Sequence, residues 1–382
     1  MTTLTGTTGD DTLIGSPGND IFSGGTGSDV FVLASGGYSD WGADRITDFL
    51  PGADTIDLSA TDLHYFDLTL TASDGGTLIT DGLGNSLMLD GVDVAEMNND
   101  QFVFATSVYV GGTSGPDRLV GTDDNNEILA GGGNDTIIAG SGHDTVQASI
   151  GDDKVWAGAG DTGRDILIGG IGNDTMAGGA GNDLLIGGNS GTLNQEAGQD
   201  HLMGGLGNDT LIAGHWLDQN GNNRFDTGEA KAGEGSSVLW GGRGDDLLIG
   251  GNGNDTLGGG QNNDTLSGGA GDDRLFGGVG DDSMEGGLGD DSLWGGLGND
   301  TLTGGDGADH FIFGRTSGND TVTDFNADTD VLDLTAAGFA DRDALLAATH
   351  TDGADLVISF GDTVIHLSNM TLDDLLPGAV LL

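Results

Sequence analysis

The sequence predicts an all-β fold built as two modules, each a coil of short parallel strands closed on its C-terminal side by a β cap. Three observations predict it. Aspartate returns every nine residues from Asp246 to Asp309 without a break, inside a unit that reads G-G-x-G-x-D-x-U-x with U large and apolar. Position U stays apolar through every repeat from Leu119 to Phe311. The text that follows the repeats also occurs twice: Gly42 to Phe49 matches Gly318 to Phe325, and Asp54 to Ser59 matches Asp330 to Thr335 at the same spacing.

A nine-residue unit is too short for a helical hairpin, because six residues of glycine-rich turn leave three for regular structure. That suits one short strand. Successive strands then alternate between two parallel sheets, with the eighth-position residues as the apolar file between them. The architecture is a parallel β-roll. A cap is physically required, since an open roll exposes apolar side chains and unpaired strand edges.

Taken in order, residues 1–37 form a short roll with Asp11, Asp20 and Asp29 nine apart and Leu13, Phe22 and Phe31 two residues after each. Residues 38–105 alternate polar and apolar positions, as in Thr77 to Thr80 and Ser86 to Leu89, and read as the first cap. A glycine-rich linker spans 106–116. The long roll covers 117–313, with sixth positions at Asp117, Asn126, Asp135, Asp144, Asp153, Asp165, Asp174, Asp183, Asp200, Asp209, Ser237, Asp246, Asp255, Asp264, Asp273, Asp282, Asp291, Asp300 and Asp309. Asn126 and Ser237 replace the carboxylate by a neutral oxygen, which should weaken a cation site beside them. Gaps of 12, 17 and 28 residues precede Asp165, Asp200 and Ser237, and the longer two place surface loops at 189–199 and 215–234. Residues 314–382 form the second cap.

The chemistry of the turns follows from their residue types. Glycines at positive φ bring carbonyl oxygens towards one point, and the sixth-position aspartate adds a carboxylate. Clustered hard oxygens suit Ca²⁺. The composition agrees: 77 glycines and no cysteine in 382 residues, with 10 Lys plus Arg against 62 Asp plus Glu for a formal charge of −52. Such a charge opposes nucleic acid or an anionic membrane as a direct partner and calls for a cation. Stacked carboxylates about 4.8 Å apart repel by roughly 0.9 kcal/mol even in bulk water. About 18 ions, one between same-side turns, would supply roughly +36 and couple binding to folding.

The longest insertion carries its own signal. Asp218, Asn220, Asn222, Asp226 and Glu229 fall at positions 1, 3, 5, 9 and 12 of a twelve-residue loop, with Arg224 at position 7, where such loops use a backbone carbonyl. The pattern resembles an EF-hand-type calcium loop, although Asn223 stands where glycine makes the sharp turn and helical flanks are missing.

These nonapeptides resemble the RTX, or hemolysin-type calcium-binding, repeat family. The module layout is similar to the C-terminal domains of serralysin-type proteases and to modules of alginate epimerases. The resemblance implies folding on calcium outside a Gram-negative bacterial cell after type I secretion. It is consistent with an N-terminus lacking a signal peptide and with a C-terminal Leu372 to Leu382 that resembles an uncleaved export signal or a final cap strand. No apolar run reaches transmembrane length.

Ninth positions should point outward, and alternation assigns Val120, Ile138, Trp156, Ala177, Met203, Trp240, Gly258, Phe276, Trp294 and Ile312 to one face. Trp156, Trp240, Phe276 and Trp294 make that face a candidate interaction surface for another copy, a surface polysaccharide or the cell surface. Catalytic signatures are missing: no H-E-x-x-H, no G-x-S-x-G, no cysteine, and histidines without ligand spacing. Repeats begin within the first dozen residues, where relatives place a catalytic domain. The expectation is a non-enzymatic, secreted, calcium-folded structural, adhesive or self-assembling component, with a carbohydrate-binding accessory as the alternative.

Overall fold

The computed structural model describes the chain except Met1 and residues 34–40, 60, 62–67, 82–84, 98–100, 104–107, 159, 189–197, 217–229, 232–234 and 376–377. Nearly all of its regular structure is β. Two compact units are present, one containing Met1–Val108 and the other Tyr109–Leu217 with Asp226–Leu382.

In the second unit, successive repeats alternate between two sheets. A 12-stranded sheet starts at Arg118–Val120 and a 14-stranded one at Val108–Gly111, inside the glycine-rich stretch after the first cap. Val108, Tyr109 and Val110 favour extended backbone, and Val110 packs on the core, which accounts for a strand there. Each strand pairs in parallel with the one two repeats on, so Leu257 faces Leu275 and Leu275 faces Leu293. This register stacks like on like. The eighth-position file from Ile128 to Phe311 is buried between the sheets, with Leu275 and Leu293 wholly inaccessible to solvent.

Turn geometry explains the glycines. Gly269 and Gly271 take φ of 109° and 128°, and a Cβ on either would strike the backbone of Gly251 or Gly253 in the turn stacked on it.

The loop excursions add no strand to the roll. Thr210–Ile212 pairs directly with Leu247–Asn252, and His201–Leu206 with Val238–Arg243, while His215–Trp216 and Ala230–Lys231 form a separate antiparallel ladder.

Both units end in the same way. Ala43–Ile46 pairs in parallel with Ser86–Asp90, which continues antiparallel through Gly76–Thr80 and Thr69–Ser73. Asn319–Val322 pairs in parallel with Thr363–Leu367, which continues through Asp355–Phe360 and Thr349–Asp352. A last short strand closes each opposite sheet, Phe102–Val103 on Thr55–Asp57 and Val380–Leu381 on Val331–Asp333. The second cap also holds one helical turn, Arg342–Ala347, whose first turn is capped by the Asp341 side chain on the Ala344 N–H. Among the described residues, no helix is long and apolar enough to cross a membrane.

Candidate metal centre

The turns stack along both edges of each roll, and the sixth-position carboxylates stack with them. Each Oδ1 accepts a hydrogen bond from the N–H of the sixth-position residue two repeats earlier: Asp255 N–H donates to Asp273 at 2.7 Å, and Asp273 N–H to Asp291 at 2.8 Å. One ladder runs from Asp117 through Asp135, Asp153, Asp174, Asp200, Ser237, Asp255, Asp273, Asp291 and Asp309 to Asp330. The other runs from Asn126 through Asp144, Asp165, Asp183, Asp209, Asp246, Asp264, Asp282 and Asp300 to Asp320. In the first unit the pairs are Asp20 to Asp44 and Asp11 through Asp29 to Asp54.

The structure therefore brings every sixth-position aspartate read from the repeats into a ladder. It also adds four that the repeat pattern missed, Asp44, Asp54, Asp320 and Asp330. Their signal was present in the duplicated cap text, where Asp44 matches Asp320 and Asp54 matches Asp330. The loop residues Asp218, Asn220, Asn222, Arg224, Asp226 and Glu229 lie outside the described residues.

The second carboxylate oxygen is met by a donor at some ladder ends. At the starts, Thr7, Ser16 and Thr113 donate to Oδ2 of Asp11, Asp20 and Asp117, and at the caps Leu50 and Asn326 donate to Asp54 and Asp330, whereas Oδ2 of the other two cap aspartates, Asp44 and Asp320, is buried without a partner. In the interior, from Asp135 to Asp309, every sixth-position Oδ2 is buried without a hydrogen-bond partner. A buried anionic oxygen with no donor is strongly unfavourable, and an ion beside it removes the penalty.

The surroundings fit calcium. A Cβ at Gly268, the first glycine of its repeat, would overlap the Asp273 carboxylate and lie 2.7 Å from the Gly286 carbonyl oxygen, so glycine leaves the space where those oxygens converge. The donors there are carboxylate and carbonyl oxygens, the set a hard divalent cation takes. Two positions depart from it. Ser237 Oγ accepts from Asp200 N–H at 3.0 Å but brings no second oxygen, and Asn126 Nδ2 donates to Asp144 Oδ1 at 3.0 Å.

Burial without donors raises these acids. Desolvation lifts Asp255, Asp282 and Asp291 to about 6, Asp264 and Asp273 to about 7, and Asp200 and Asp209 to about 8, with neighbouring carboxylates adding at most of them. At Asp20 desolvation also acts upward, but hydrogen bonds from Ser16 and Thr2 outweigh it and hold the carboxyl below its ordinary value.

The outward faces of the long roll differ. Trp156, Trp240 and Trp294 stand in one file on the 12-stranded sheet, 37%, 47% and 45% exposed, with Met203 and Phe276 between them in register. Glycine at 258 leaves room for the Trp240 indole, and the Phe276 and Trp294 ring centroids are 6.3 Å apart. Strands from Arg118–Val120 to His310–Ile312 carry Arg118, Lys154, His201, Arg243, Arg274 and His310 and no acid. The strands facing them across the core, Asn126–Gly132 to Thr301–Asp306, carry Glu127, Glu285 and Asp306 and no base. Four of the chain's ten Lys and Arg thus share one sheet.

A family model described as the RTX calcium-binding nonapeptide repeat (4 copies) matches residues 2–36, 111–146, 138–161, 160–190, 196–215, 219–257, 258–293 and 285–322. No curated protein matches the chain. Among solved structures, the extracellular lipase LipA from Serratia marcescens is similar at 16% identity and a TM-score of 0.20, over 99% of this chain and 39% of that one. The chain therefore spans well under half the length of that lipase.

Proposed function

Because the chain belongs to the RTX calcium-binding nonapeptide repeat family, we propose that it is a non-catalytic, calcium-folded component that works outside the cell by self-assembly. In this reading the interior ladder aspartates hold the ions. The 12-stranded sheet of the long roll is the working surface.

The observation that carries the reading is the segregation of charge across that roll. One sheet presents Arg243 and Arg274 beside Trp240, Phe276 and Trp294. The opposite sheet presents Glu285 and Asp306 beside Leu288, which is 56% exposed. Two unlike faces on one body favour a heterologous, face-to-back contact, which does not close and so builds filaments or sheets. Substituting Ser for Trp240, Phe276 and Trp294 together tests it. Negative-stain microscopy in calcium should show assemblies for the natural chain and none for the variant, with circular dichroism unchanged. Assemblies by both chains would refute the role of this face.

The same residues favour one second reading. Arginines interleaved with exposed indoles suit an acidic polysaccharide, whose carboxylates pair with guanidinium and whose ring faces stack on aromatics. A soluble monomer in calcium that is retarded on immobilised alginate, with retardation lost in the triple-Ser variant, would select that reading over assembly.

A further inference from the structure

Among the described residues, one buried carboxylate of the long roll belongs to neither ladder. Gly158 stacks on Gly140 and Gly163 on Gly142, and the sequence has four residues between 158 and 163 where a regular repeat has a single one. This three-residue expansion carries Asp161. A turn apex normally exposes an acidic side chain, yet Asp161 is folded inward and is only 3% exposed. Its Oδ1 accepts from Gly163 N–H at 2.9 Å and from Gly142 N–H at 3.3 Å, which fixes the carboxylate in position. Its Oδ2 is buried and has no hydrogen-bond partner.

Asp161 belongs to a group of three. Asp161, Asp144 and Asp165 each offer a carboxylate oxygen, all within 4.8 Å of one another, and all three residues are buried. Oxygens bound to one calcium ion at 2.3 to 2.6 Å lie no more than about 5 Å apart, so the spacing is within reach of a single ion. A regular turn brings two ladder aspartates from adjacent rungs of one edge, here Asp144 and Asp165, and the expansion adds a third anion. Three buried carboxylates with oxygens within 4.8 Å of one another are unfavourable without a countercharge, and no hydrogen-bond donor meets their Oδ2 atoms.

We propose that Asp161, Asp144 and Asp165 form a distinct tricarboxylate cation site in the long roll, one that takes Ca²⁺ ahead of the regular turns. Higher anionic charge in a rigid oxygen site raises affinity for a divalent cation, and raises it further for a trivalent one. The turn expansion is then a built feature of the roll rather than a tolerated irregularity.

The test is calcium binding by the full chain, measured by equilibrium dialysis with radioactive calcium. Asp161→Asn keeps the Oδ1 contacts and removes the charge. It should leave the circular dichroism at saturating calcium unchanged, lower the number of tightest-class ions by one, and weaken the first binding step about tenfold. Replacing residues 159–162 by a single glycine restores the regular nonapeptide and should have the same effect on the count, which covers the case of a misfolded Asn variant. Unaltered first-step affinity and stoichiometry in the glycine-replaced chain would overturn the proposal.

Discussion

At the level of single residues, the first glycine of each repeat and the aspartate five positions later act as one device. Gly268 leaves room for the Asp273 carboxylate to close over its own turn beside the Gly286 carbonyl. Gly268→Ala should therefore weaken calcium binding at that turn by about tenfold or more while leaving the chain in chelator unchanged, as read by calcium titration of the variant. The motif made this pairing legible, because glycine and aspartate recur at fixed spacing. What the motif did not contain is the division of labour within the carboxylate: Oδ1 accepts a backbone N–H and Oδ2 stays free. That division depends on the turn stacked 18 residues away.

The two ladders set the next scale. Ser237 interrupts one of them: it is 2% exposed, it bonds Asp200 N–H and Asp255 accepts from it, but it supplies no free oxygen. Ser237→Asp should add calcium affinity and raise the melting temperature in saturating calcium, where the added carboxylate meets an ion. Calorimetric scans of both chains in saturating calcium check the sign. The pH dependence belongs to the ladders as well. Their interior carboxyls have folded-state values of about 6 at Asp282, about 7 at Asp264 and about 9 at Asp165, above an unfolded value of about 3.9. A group raised in this way binds its proton more tightly when folded, so its stabilising contribution is complete below about pH 4 and disappears as pH rises through about 6 to 9. In chelator, acidification from pH 8 to pH 5 should thus increase β-structure, and circular dichroism against pH measures it; loss of structure on acidification would contradict the ladder energetics. In calcium the dependence reverses, because protons and ions compete for the same oxygens.

For the whole molecule, the charge of −52 and the buried carboxylate stacks make the metal part of the fold. Chelation should unfold the chain cooperatively, and returning calcium should restore β-structure over a narrow concentration range, since many ions bind one folded state. A chain fully folded in chelator at neutral pH would remove this coupling. The same scale holds the contrast between the basic aromatic sheet and the acidic sheet opposite, on which the assembly reading rests.

The nine-residue period was enough to place one strand in each repeat, two parallel sheets, an apolar file between them and an oxygen-rich turn at each aspartate. All of these are local consequences of glycine backbone freedom and side-chain alternation. Alternation also put the three tryptophans of the repeats, Trp156, Trp240 and Trp294, on one face, and the structure keeps them in register because the excursions before Asp200 and Ser237 add no strand to the roll. Other features required contacts between distant residues. Asp44 and Asp320 lie outside the nonapeptides and join the ladders only because the caps continue the sheets. Asp161 sits in an irregular turn whose sequence does not say whether the side chain points to water or to the core. Its burial beside Asp144 and Asp165 was decided by the stacking of Gly163 on Gly142 and Gly158 on Gly140, which holds the expanded turn against the roll and turns its carboxylate inward.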